Sequence, residues 1–223
     1  MFERLSQRFQ GSCMMVMRQS EKDVTFLASS FLVHSQGYLL TAARGVTEDE
    51  NLAVVPPNAD EGFSPVTLEE VSPVPVEVVA RDTERDIALL KLKPEMEINM
   101  PENILGEADK DARGAQLMSL GIPFGHYRIH GVFAGQAMLS GRVTSHSGTQ
   151  LIIFDRRVQH GDLGGPLISV ADGQVIGMIG GVFDPLALEG RAISEEAIPI
   201  NSDLSYAVSI EYGKALLEKE LGE

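Results

Sequence analysis

Apolar residues in this chain fall in short runs separated by Gly, Pro and polar clusters, with strand-like lengths and strand-like β-branched content. Ser12 to Met17 and Val24 to Val33 read as strands, Gln36-Gly37 as a turn, and Tyr38-Leu39-Leu40-Thr41 as the start of another strand. Leu52 to Val55, Val76 to Ala80 and Ile87 to Leu92 follow, with Pro56-Pro57 and the acidic stretch Asn58 to Gly62 as loop. A second series comprises Gln116 to Gly121, Val132 to Val143, Leu151 to Phe154, Pro166 to Val170, Val175 to Phe183 and Leu204 to Val208. Between the two series, Lys93 to Arg113 carries Pro94, Pro101 and six acidic residues and reads as an open, polar connection. Residues 184–203 read as a long loop of mixed polarity, a kind that in compact domains is more often functional than not.

Helical spacing is confined to the two ends. Phe2, Leu5 and Phe9 share one face, which fits either a short docking helix or a frayed terminus. Ile210 to Leu221 reads as a closing helix with Tyr212, Leu216 and Leu217 on its inner side. Two sets of about six strands with a connection between them predict an all-β fold, two packed antiparallel six-stranded barrels with a C-terminal helix. By residue this gives an N-terminal segment at 1–10, a first barrel with its connecting segment at 11–109, and a second barrel with the helix at 110–223.

Composition narrows the partners. The formal net charge is −14, from 18 basic and 32 acidic side chains. Such a surface repels phosphate backbones and anionic lipid, so neither nucleic acid nor a membrane is an expected partner. Acidity serves solubility first, and recruitment of a basic partner second. The single cysteine, Cys13, sits in an apolar run and reads as a buried, inert thiol, so core packing alone must hold the fold. Met1-Phe2-Glu3-Arg4-Leu5 lacks an apolar signal core, and no segment approaches about 18 consecutive apolar residues. A soluble, cytoplasmic protein is expected from the chain as it stands, and a periplasmic or secreted one if a leader has been trimmed. No cofactor or metal is expected.

Three segments carry the chemistry: Gly37-Tyr38-Leu39-Leu40-Thr41-Ala42-Ala43-Arg44, Arg85-Asp86-Ile87-Ala88-Leu89-Leu90-Lys91-Leu92, and Gly161-Asp162-Leu163-Gly164-Gly165-Pro166-Leu167. In order and spacing they resemble the trypsin-like serine peptidases, and more narrowly the cysteine-poor HtrA-type bacterial branch. Leu120-Gly121-Ile122-Pro123-Phe124-Gly125 and Gly173-Gln174-Val175-Ile176-Gly177 are similar to two further turns of that branch, so the resemblance runs from about Ser12 to Leu217. It implies a double β-barrel with a triad of histidine, aspartate and serine between the barrels.

The departures concern that triad. Arg44 stands where the resemblance places the histidine and Leu163 where it places the serine, while Asp86 keeps the aspartate. A guanidinium has no acceptor lone pair and stays protonated, so Arg44 is no general base, and leucine offers no nucleophilic atom. Loss within such a triad costs on the order of a million-fold in turnover. Of His34, His126, His130, His146 and His160, His160 is the one close in sequence to the nucleophile loop, and that loop offers no hydroxyl. The glycines around Leu163 leave two readings open: a remnant oxyanion hole from the N–H groups of Gly161 and Leu163, or glycines serving only a tight turn. By the same resemblance Arg157 occupies the base of the specificity pocket, either selecting an acidic side chain or neutralised by Asp155 or another acid.

The reading that follows is a non-catalytic serine-peptidase homologue that binds a protein or peptide through the old substrate groove. Two alternatives remain: a peptidase or esterase using other residues, and a structural subunit that forms homo-oligomers or pairs with an active relative. Arg44 is expected to pair with Asp86 across the barrel interface in a well-buried clasp, with Leu163 packed over it and closing the cleft.

Overall fold

The run Ile87-Ala88-Leu89-Leu90-Lys91-Leu92 is apolar on both faces, and both faces are buried. A strand of this kind needs one layer inside its own barrel and a second layer outside it. The computed structural model supplies both. It describes residues 1–9, 11–20, 24–47, 51–57, 63, 71–101, 103–184 and 202–222.

A short helix α1 (Phe2–Phe9) precedes strands β1 (Cys13–Gln19), β2 (Val24–His34), β3 (Tyr38–Ala42), β4 (Leu52–Val55), β5 (Val74–Asp82) and β6 (Ile87–Leu92). These close into a barrel in the order β1-β2-β3-β6-β5-β4. Strands β7 (Gln116–Gly121), β8 (Phe133–Thr144), β9 (Gln150–Phe154), β10 (Pro166–Ser169), β11 (Val175–Val182) and β12 (Ser205–Ser209) form a second closed barrel in the order β10-β11-β12-β9-β8-β7. Every ladder is antiparallel, and closure leaves neither barrel with an unpaired sheet edge. Helix α2 (Ile210–Leu221) ends the chain, capped by Ser209, which accepts the Glu211 N–H, and by Gly222 in the left-handed conformation. The expected double barrel is therefore the observed fold.

Alternation along β6 explains the layering. Ala88, Leu90 and Leu92 fill the inside of the first barrel with Val16, Leu39 and Val54. Ile87 and Leu89 face the other way and join Met118, Leu120, Ile168 and Met178 of the second barrel in one continuous core. Both terminal helices contribute to that core. Leu5 and Phe9 of α1 are buried in it, and Arg8 donates to Gly173 O in the turn between β10 and β11 at 3.3 Å. The N-terminal helix thus docks on the second barrel. Ile210 and Leu217 of α2 share the same core, and a side chain at Gly213 would strike Leu40 of the first barrel.

The connection between the barrels is more structured than its polarity suggests. Ile104 and Ala108 are buried, Leu105 forms a parallel bridge with Val175, and Val175 N donates to Ile104 O at 2.8 Å. A polar composition concealed two anchoring residues. Of the expected loop 184–203, residues 185–201 lie outside the described residues, as does the acidic stretch 58–62. Among the described residues no helix is long and apolar enough to cross a membrane.

Phe9 is 1% exposed. Replacing it with alanine removes a large buried ring, and Phe9→Ala is expected to cost about 3–5 kcal/mol of stability. A denaturant titration showing no loss would return α1 to the status of a frayed end.

Candidate functional site

β3 and β6 are hydrogen-bonded neighbours, with Ala42 opposite Ile87. The residues just beyond that pair are therefore adjacent: a single turn of 3₁₀ helix, Ala43–Gly45, carries Arg44, and Asp86 immediately precedes β6. Asp86 adopts a left-handed backbone (φ 56°), a conformation that aspartate tolerates better than most residues. Its carboxylate accepts the Arg44 backbone N–H on Oδ1 at 2.7 Å and the Arg44 Nε–H on Oδ2 at 2.6 Å. Arg44 Nη2 lies 2.5 Å from the same Oδ2. The anticipated pair forms, but it lies within the first barrel, because β3 and β6 deliver both partners there. What crosses to the second barrel is this same Nη2. Nη2 donates to Gly180 O at 2.9 Å and reaches Tyr206 Oη at 3.3 Å.

The pair is also less buried than expected, with side-chain exposures of 53% for Arg44 and 20% for Asp86. Partial burial works against the arginine's charge, but the hydrogen bond and the charge of Asp86 outweigh it and hold the guanidinium above its ordinary range. An ion pair this exposed is worth about 1 kcal/mol or less, not the several of a sealed one.

Leu163 does not close the cleft. It follows a one-turn 3₁₀ helix, His160–Asp162, and its side chain leans toward Gly181. A cavity of about 270 Å³ remains, bounded by Arg44, Leu163, Gln159, His160, Val158, Tyr206 and residues 180–182. Arg157 is not among its lining residues. It lies half-exposed, 3.9 Å from Asp203. Asp155, the other acid considered for it, accepts the Met138 N–H at 2.5 Å. His160 sits at the rim with its ring edge-on to His126, at 4.8 Å between centroids.

Among the described residues, Ser29 holds the loop around Leu163 from the first barrel. Ser29 of β2 is fully buried, donates its N–H to Leu163 O at 2.8 Å and its hydroxyl to Gly161 O at 2.8 Å. The same hydroxyl accepts the Ile122 N–H at 3.0 Å, and Ser29 O accepts the Thr41 hydroxyl at 2.7 Å. Close backbone approaches account for the glycines, from Ser29 at Gly164 and from Ile122 and Leu120, at the end of β7, at Gly161 and Gly165. A Cβ at Gly161 would lie 2.0 Å from Ile122 O, one at Gly165 2.1 Å from Leu120 O, and one at Gly164 2.2 Å from Ser29 O. Gly164 also has a φ of 84°. Packing and turn geometry are sufficient reason for all three.

Beneath the loop lies Asp162, fully buried, with Oδ2 accepting the Gln159 N–H at 2.9 Å and Oδ1 without a partner. Burial pushes its carboxyl above the ordinary range, against the Gln159 bond and the charge of Arg156. Burial, aided by Asp162, also pushes the Cys13 thiol up to about 12, which makes it the inert thiol expected.

Sequence reasoning missed Ser29, Tyr206 and Gly180. Ser29-Ser30 inside the run Phe26 to Val33 was the visible signal, since hydroxyls in a buried strand must find partners. Tyr206 and Gly180 join the site through strand pairing, which no local pattern reveals.

The family profile described as "Trypsin-like peptidase domain" matches residues 28–178. The probable periplasmic serine endoprotease DegP-like of Pseudomonas fulva (strain 12-X) is 27% identical over 164 residues, 73% of this chain and 30% of the relative. Its counterpart in Halomonas elongata is 30% identical over 158 residues, covering 70% of this chain and 30% of the relative. The putative protease Do-like 14 of Arabidopsis thaliana is 28% identical over 181 residues, 79% of this chain and 39% of its own. The chain thus spans about a third of the length of these curated relatives. Among solved structures, an HtrA-type protease AlgW with tripeptide superposes with a TM-score of 0.69 at 20% identity, covering 98% of this chain and 62% of that one.

Two stability measurements follow. Ser29→Ala leaves the buried Gly161 carbonyl and Ile122 N–H without a partner and is expected to cost about 1–3 kcal/mol per group, whereas Arg44→Ala costs about 1 kcal/mol or less. Denaturant titrations giving the reverse order would contradict this placement of the inter-barrel fastening. For Asp162, the folded chain holds the carboxyl proton more tightly than the unfolded chain. Its contribution is therefore full at low pH and is lost as pH rises from the ordinary carboxylate range through the raised value. Asp162→Asn should melt higher than the parent at about pH 7 and show little difference below about pH 4. A pH-independent difference would mean that the buried carboxyl does not titrate as described.

Proposed function

This chain belongs to the trypsin-like peptidase domain family, and we propose that it is a non-catalytic member that binds a protein or peptide in the groove between its barrels. The observation that carries the reading is the state of Arg44. In the position that the family resemblance assigns to the general base, a guanidinium donates to Asp86, Gly180 O and Tyr206 Oη and offers no lone pair. Beside it Leu163 supplies no nucleophile. A triad so altered loses on the order of a million-fold in turnover, and the residual 10³–10⁴-fold acceleration over water, roughly what an oxyanion hole and binding provide, does not cleave a stable peptide bond usefully.

Neighbouring hydroxyls do not favour a replacement. Ser29 and Thr41 are fully buried and committed to carbonyls. Tyr206 faces a cation rather than a base. His160 stacks edge-on with His126. The cavity beside Leu163 remains open, which supports binding over a purely structural role.

The purified chain is expected to leave casein and a broad peptide library uncut and to take no label from a serine-reactive fluorophosphonate. Leu163→Ser alone is expected to stay inactive, because Arg44 still stands where a base is needed. Labelling of the unmodified protein at any serine, or clear cleavage, would replace this reading with that of an enzyme using other residues.

A further inference from the structure

Arg44 is held on one side and open on the other. Its Nε and Nη2 are fixed by Asp86, Gly180 O and Tyr206 Oη, while Nη1 has no hydrogen-bond partner among the described residues. The guanidinium plane is therefore set in advance, and little rotamer freedom is lost when a ligand meets the open edge. Tyr206 accepts from Arg44 Nη2, so its own hydroxyl proton is left to donate to a ligand. Both groups line the 270 Å³ cavity together with Leu163, Val158, Val182 and His160. Among the described residues no acidic side chain lines it, in a chain with 32 acidic residues against 18 basic ones. A hydrogen bond to the charged guanidinium is stronger than one between neutral groups. The cavity's volume falls below the roughly 300–1,000 Å³ of pockets that hold whole drug-sized ligands, so it suits one side chain or a chain end.

We propose that this cavity is a carboxylate-binding pocket, in which Arg44 Nη1 and the Tyr206 hydroxyl receive an acidic side chain or the C-terminus of a bound peptide. The inference rests on the peptide-binding reading and names the chemistry that this site selects. The ligand carboxylate and Asp86 then share Arg44 from opposite edges, so the aspartate orients the arginine instead of competing with the ligand for the same donors. Arg44 and Tyr206 are binding residues here, and no covalent step is involved.

The test uses the full chain and peptides selected against it from an unbiased display library, measured by fluorescence anisotropy. One arm compares internal Glu with Gln at each position in peptides blocked at both ends. The other compares a free C-terminus with its amide. In one arm the charged form is expected to bind about tenfold tighter or more, as for a hydrogen bond to a charged group, with the ratio shrinking as salt rises. The arm that shows the ratio identifies the source of the carboxylate. Tyr206→Phe keeps the ring and is expected to cut the ratio several-fold. Equal affinity for charged and neutral peptides in both arms overturns the carboxylate pocket and leaves the peptide-binding reading standing. An unchanged ratio in Tyr206→Phe overturns the hydroxyl's assigned part. Failure of every library peptide to bind overturns both readings.

Discussion

The geometry of the site depends on Ser29. A strand of the first barrel runs beside the loop that carries Leu163, and one buried serine meets that loop with its backbone N–H and its hydroxyl. Its backbone N–H and hydroxyl hold the carbonyls of Leu163 and Gly161, and its own carbonyl is held by Thr41. In a water-excluded seam each of these groups would be costly to leave unpaired, so the two barrels have one low-energy registration. Gly164 follows from the same approach, since a side chain there would collide with Ser29 O, while Gly161 and Gly165 are required by the backbone of Ile122 and Leu120 at the end of β7.

Given that registration, the fate of Arg44 is local. Strand pairing places residue 44 beside residue 86, and a long planar cation beside a carboxylate forms a fork. The same Nη2 that faces Asp86 also donates over the seam to Gly180 O of the second barrel. The partly exposed pair contributes little to stability and much to orientation. A guanidinium so fixed presents a defined edge to the cavity beside Leu163. A site that resembles a proton relay in sequence is, in its contacts, a set of fixed donors.

Much of this was legible in the sequence because the strands are short, strongly apolar and bounded by turn residues. Leu52–Val55, Ile87–Leu92 and Gln116–Gly121 lie where the pattern puts them. β5 runs on to Asp82 because antiparallel pairing with β6 carries polar residues along with apolar ones. The Arg44–Asp86 pair was legible from the order of three motifs. Its exposure was not, because burial depends on how far a neighbouring loop leans, and Leu163 leans toward Gly181 and leaves a cavity. Tyr206 and Ser29 were missed for a related reason. Each acts on residues more than a hundred positions away, through contacts that only closed barrels create.

The central claim is that this groove holds a peptide without cutting it. It is tested most directly by titrating a library-selected peptide into the protein calorimetrically, then recovering that peptide after prolonged incubation for mass spectrometry. Saturable one-to-one binding, with the peptide recovered intact, is the predicted result. Recovery of defined cleavage fragments that disappear when the protein is omitted would contradict the account.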